Sequence, residues 1–154
     1  MKARATVLTL ALCFVGVAVC FAADAFIGTW KLNDAKSKFS PGAAKNTTVV
    51  YEAVGENVKV TIDGSDGDGK PTHNEWTGKF DGQDYSVTGD PNSDTRSLKK
   101  INDHTLTFAV KKGDKVITTG RIVLSADGKT RTVTTTGTDP KGNKISGTAV
   151  YDKQ

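Results

Sequence analysis

The chain has 154 residues, 36% hydrophobic, 7% aromatic and 25% charged, with a formal charge of +4. That length suits one domain, and the ordinary charged fraction excludes a disordered tail and a polytopic membrane protein. Sixteen glycines and abundant threonine, beside one methionine and three glutamates, favour strands joined by tight turns over helices.

Residues 1–25 read as a secretory signal. Lys2 and Arg4 form a basic start, Val7–Phe21 is an apolar run of 15 residues, and small residues follow at Ala22, Ala23 and Ala25. The run is shorter than the ~20 residues a membrane-spanning helix needs. Cleavage is expected after Ala22 or Ala25, leaving 26–154 as a single domain. Cys13 and Cys20 both fall in the signal. The exported chain therefore has no disulfide, thiol nucleophile or thiolate metal site. Val19 is too large for the position before a lipidated cysteine, so a secreted or periplasmic protein without a lipid anchor is expected. Beyond the signal, 19 basic residues stand against 16 acidic ones. That balance is too mild and interspersed for a nucleic-acid partner.

Alternating apolar and polar residues predict strands over 27–33, 46–54, 57–63, 71–80, 83–89, 94–101, 104–112, 115–125, 129–138 and 144–152. Gly55-Glu56, Asp81-Gly82, Asn102-Asp103, Gly113-Asp114, Asp127-Gly128 and Gly142-Asn143 supply the turns. Asp34–Lys45 leaves room for a short helix ending before Pro41-Gly42. Short connections make consecutive strands antiparallel, and with no helices to cover a face the economical solution is closure into an up-and-down β-barrel. A two-sheet sandwich would need longer crossovers. Val60–Asp66 is echoed by Val133–Asp139, each followed three residues later by glycine, which reads as one hairpin solution used twice.

The residues offer little catalytic chemistry. His73 and His104 sit in no nucleophile–base or metal-ligand spacing and read as surface histidines, so no enzyme, metal or cofactor is expected. The acidic stretch Asp63–Gly69 has glycine at the first position of a calcium-loop register and reads as a hairpin loop. The arginines say more. Arg96 shares a face with Leu98, Arg121 with Ile117 and Val123, and Arg131 with Val133. Period two sends all three toward whichever side the apolar residues occupy, which in a barrel is the interior. A buried guanidinium must be paired with an internal carboxylate, an aromatic face or the anionic group of a ligand. Trp30, Trp76, Phe80, Tyr85, Phe108 and Tyr151 share that parity, with Leu106, Val110, Ile145 and Ala149.

Phe26-Ile27-Gly28-Thr29-Trp30-Lys31-Leu32 after a signal resembles the Gly-x-Trp opening of lipocalins and intracellular lipid-binding proteins. Thr148–Lys153 is similar to the last strand of the latter, and in phrasing the chain resembles bacterial secreted lipocalin-like proteins. The resemblance implies a lipocalin-like barrel of about ten strands around a site for a small, mainly apolar molecule, with Trp30 closing one end. Two departures matter. Ala149 stands where lipid-binding proteins commonly carry an arginine two residues before the final tyrosine, and Asp34–Lys45 is too short for their two-helix lid. Fatty-acid binding does not transfer, unless Arg121 and Arg131 substitute. The expected function is a non-enzymatic, exported barrel carrying a small hydrophobic or anionic amphiphilic ligand, lined by Trp76, Tyr85, Arg96, Phe108, Arg121, Arg131 and Tyr151. The alternative is a filled barrel that binds or inhibits a protein partner in the cell envelope through loops 34–45, 64–70 and 90–94.

Overall fold

The computed structural model describes residues 24–154, so the expected signal up to Ala23 lies outside the described residues. Eleven strands follow in order: β1 (Gly28–Leu32), β2 (Lys38–Phe39), β3 (Lys45–Val54), β4 (Asn57–Ser65), β5 (Pro71–Gly78), β6 (Tyr85–Thr88), β7 (Thr95–Asn102), β8 (Thr105–Lys112), β9 (Lys115–Leu124), β10 (Thr130–Thr138) and β11 (Lys144–Lys153). Strands β3 to β11 pair antiparallel with their neighbours in sequence, and β1 pairs with both β3 and β11. That second pairing closes the sheet into a ten-stranded barrel. All ten predicted strands are present. The barrel prediction holds and the sandwich does not.

The eleventh strand is β2, which lies in the segment expected to hold a short helix. A 3₁₀ helix does form there at Asp34–Lys36, with the Asn33 side chain accepting a bond from the Lys36 N–H. Lys38 and Phe39 then pair with Thr148 and Gly147 of β11, on the edge that also takes β1. β1, the 3₁₀ turn and β2 thus form one interrupted strand along β11. Where the turn lifts the backbone away, Ser37 Oγ accepts the Val150 N–H at 2.9 Å. Just past β2, Ser40 Oγ accepts the Ser146 N–H while the Ser40 N–H donates to Ser146 O, each at 2.9 Å.

Register assigns the interior. Trp30, Tyr51, Val60, Trp76, Leu98, Leu106, Ile122, Arg131 and Tyr151 point inward and are buried, and every second residue from each shares that direction. The end where β1 begins and β11 finishes is packed solid. Phe26 and Trp30 are 0% exposed there, and Phe80 meets Phe26 edge-on at 6.2 Å. Toward the other end the inward positions become small or polar: Gly64, Thr72, Asn74, Thr118, Gly120, Thr135, Gly137 and Gly147. Phe108 and Val133 also face inward yet are only half-buried.

The internal echo has a structural basis. Gly64 and Gly137 both face inward opposite an irregularity in the preceding strand. A Cβ on Gly64 would collide with Lys45 O, beside the β3 bulge, and one on Gly137 would lie 2.5 Å from Ile117 O. The loops that follow match as well. Asp66 Oδ1 accepts the Lys70 N–H and Asp139 Oδ1 the Asn143 N–H, while Gly69 and Gly142 take φ of +81° and +88°. The acidic stretch is therefore a hairpin loop whose key carboxylate is turned onto its own amides.

Candidate functional site inside the barrel

Two inward guanidiniums dominate the interior, and they are held differently. Arg131 sits at the packed end. Its guanidinium carbon lies 4.9, 5.0 and 4.7 Å from the ring centroids of Trp30, Tyr51 and Tyr151. Such contacts reach about 2 kcal/mol or more when desolvated. Trp30 is pinned in turn by its Nε1–H, which donates to Phe26 O at 2.9 Å. Arg131 Nε and Nη1 are buried with no hydrogen-bond partner among the described residues. The Tyr151 hydroxyl donates across the barrel wall to Asn46 O at 3.0 Å, and burial pushes its pKa up to about 12, opposed by the Arg131 charge.

Arg96 sits higher, between Tyr85 of β6 and Val110 of β8. Its Nη2 donates to Asn74 Oδ1 at 3.2 Å, while Nη1 is enclosed without a partner among the described residues. Burial pulls this guanidinium below the ordinary arginine range, and the Tyr51 phenol and the Asp90 carboxylate act in the opposite sense. The backbone that carries Arg96 is held from behind, because Trp76 Nε1–H donates to Arg96 O at 2.7 Å. Among the described residues no interior strand position is Asp or Glu. The inner wall is therefore cationic, rich in hydrogen-bond donors and without an inward-facing strand carboxylate to neutralise it.

The sequence candidates separate into groups. Arg96 and Phe108 face the less tightly packed half, and a Cβ on Gly120 would collide with the Phe108 ring. Trp76 is 1% exposed and packs the wall, with Tyr85 edge-on to it at 5.7 Å. The Tyr85 hydroxyl points away from Arg96 toward the packed end, donating to Asp81 at 2.8 Å, and its pKa is raised mainly by that bond. Trp30, Arg131 and Tyr151 form the closed end. Arg121 is a correction: it is exposed on the outer face, paired with Thr134 and Thr107. It does share parity with Val123, but Val123 itself is 38% exposed. Parity was read correctly there and the apolar face was not. His73 and His104 are both exposed, His73 sitting 2.6 Å from Asp63 on the outer wall.

Sequence reasoning missed Asn74, Tyr51 and Phe39. Asn74 is 8% exposed and is the side chain that binds Arg96. Its parity with Trp76 was available as a signal. Two clefts open at the less packed end. One, of about 450 Å³, lies at the rim between β9, β10 and β11 and reaches inward-facing Thr118, Gly137 and Ile145. The other, of about 720 Å³, lies beside β2 and reaches Phe39.

No family model matches the chain, and no curated protein matches it. Similar solved structures are the barrel EF1p2_mFAP2b bound to DFHBI, the redesigned barrel mFAP1 bound to DFHBI, and a fluorescence-activating β-barrel designed de novo. Their TM-scores are 0.48, 0.44 and 0.42, at 10%, 14% and 12% identity. Each alignment covers 86% of this chain and 97%, 98% and 97% of the respective neighbour.

Proposed function

We propose that this protein is an exported, lipocalin-like binding barrel that holds a small amphiphilic anion. The acidic group rests on Arg96 and the apolar body lies along Phe108 and Val133. The observation that carries this reading is the enclosed Arg96 Nη1, a guanidinium nitrogen with two hydrogens and no partner among the described residues. A buried unsatisfied donor costs about 1–3 kcal/mol, more when charged, and an anion supplied from outside removes that cost. The signal-like start of the chain and the Gly-x-Trp opening with Trp30 at the closed end support the reading. Both histidines lie outside the barrel, which favours binding over catalysis.

Titration with dodecanoate and dodecanol tests it. A charge-assisted hydrogen bond contributes about 1.5–3 kcal/mol, so dodecanoate is expected to bind at least about tenfold more tightly. Arg96→Met is expected to erase that preference. Equal affinities in the wild type, or no binding of either compound, would overturn the reading.

A further inference from the structure

The barrel wall has a slit. β1 pairs with β3 only as far as Lys31 and Thr48, and beyond that point β2 pairs with β11 alone. The first residues of β3, Lys45–Thr47, consequently face β2 without strand hydrogen bonds between them. The 720 Å³ cleft occupies this gap, lined by Ser37, Phe39, Ala43 and Lys45 among others. Phe39 connects it with the interior. The Phe39 ring lies 3.1 Å from the Cβ position of inward-facing Gly147 and packs on the core, and the same residue lines the cleft.

The slit is bounded on each side. Above, loops 40–43 and 66–69 touch, since a Cβ on Gly67 would collide with Gly42 O. On the inner side the Tyr151 hydroxyl bonds to Asn46 O. Across the outer opening lies one side chain. Lys45 Nζ stands 5.3 Å from the Phe39 ring centroid and 3.7 Å from Asp34. Its side chain is 47% exposed and that of Asp34 73%, so water competes for both contacts and the ammonium is free to leave. Lys38 is a second exposed cation beside the cleft. Of the two aspartates lining it, Asp66 is engaged by the N–H groups of Asp68 and Lys70.

Resting on the function proposed above, we infer that the ligand enters the barrel through this slit, with Lys45 as a strap that receives the acidic group and swings aside. Entry here needs no strand pair to open, and Phe39 offers an apolar surface from cleft to core.

Stopped-flow binding of 8-anilinonaphthalene-1-sulfonate, a fluorescent sulfonate amphiphile, tests the route. Ala43→Trp fills the cleft and is expected to slow association and dissociation together by tenfold or more, with equilibrium affinity kept within twofold. Ala44→Trp, on the exposed neighbour, should leave both rates unchanged. Lys45→Met keeps the packing on Phe39 and is expected to slow association at least threefold and flatten its dependence on salt, which also decides the matter should Ala43→Trp fail to fold. Binding with normal rates in Ala43→Trp and in Lys45→Met would overturn the slit and leave the binding function standing. No binding to the wild type, or binding indifferent to Arg96→Met, would instead overturn the function, and the slit with it.

Discussion

Replacing Arg96 and Asn74 together, as Arg96→Met with Asn74→Leu, separates a residue kept for binding from one kept for stability. Among the described residues the Arg96 guanidinium makes one side-chain hydrogen bond, to Asn74, and its Nη1 is enclosed and unpaired. The charge-assisted bond is worth about 1.5–3 kcal/mol, and the orphaned donor costs about 1–3 kcal/mol, so these two effects nearly cancel. Arg96→Met alone would strand the buried Asn74 carbonyl and lose another ~1–3 kcal/mol. Changing both partners avoids that loss and leaves the desolvation of the charge as the larger remaining effect. Replacing both partners of a buried hydrogen bond by apolar groups of similar shape is nearly neutral or stabilising. The double variant is therefore expected to unfold in urea at an equal or higher midpoint, with an unchanged slope, when followed by tryptophan fluorescence on ligand-free protein. It should also lose its preference for carboxylate over alcohol. Destabilisation by more than about 2 kcal/mol would refute the reasoning, because Arg96 would then be holding the fold.

Three further outcomes are expected. Because burial raises the Tyr151 pKa to about 12, stability is intact below about pH 10 and falls as pH rises through 12. The loss amounts to about 3 kcal/mol. Comparing urea midpoints of wild type and Tyr151→Phe at pH 9 and pH 11.5 isolates it, and a gap independent of pH would contradict it. Gly137→Ala places a Cβ 2.5 Å from Ile117 O and should cost about 1–3 kcal/mol, measured by thermal melting. An unchanged melting temperature would show that the bulge yields freely. Should the signal-like start be removed as proposed, the new N-terminus is expected at Ala23. Asp24 accepts the Phe26 N–H and stands 3.0 Å from Lys100 Nζ, and processing after Ala25 would remove both contacts and leave an ammonium on fully buried Phe26. Intact-mass analysis decides between the two, and a chain starting at Phe26 would count against this account.

The strand plan was legible because turn residues punctuate it. Gly55, Gly82, Gly113, Gly128 and Gly142 all adopt the positive φ their positions implied. The inward register of Arg96 and Arg131 follows from their parity with Leu98 and Val133. β2 was not legible. A two-residue strand has no period to detect, and it exists only because β11 extends past the end of β1.

Amino-acid order alone determined ten strands, their antiparallel succession and the alternation of faces along each one, since turn chemistry and period two act over a few residues. It did not determine which face was inside wherever both carried similar residues. Arg121 and Val123 alternate with Ile122 and Leu124, and only pairing with β8 and β10 turned the first two outward. Closure of β1 onto β11, the bulges opposite Gly64 and Gly137, the bond from Asn74 to Arg96 and the slit beside Lys45 are likewise tertiary. Each joins residues far apart in the chain, and local pattern carries no information about such distances.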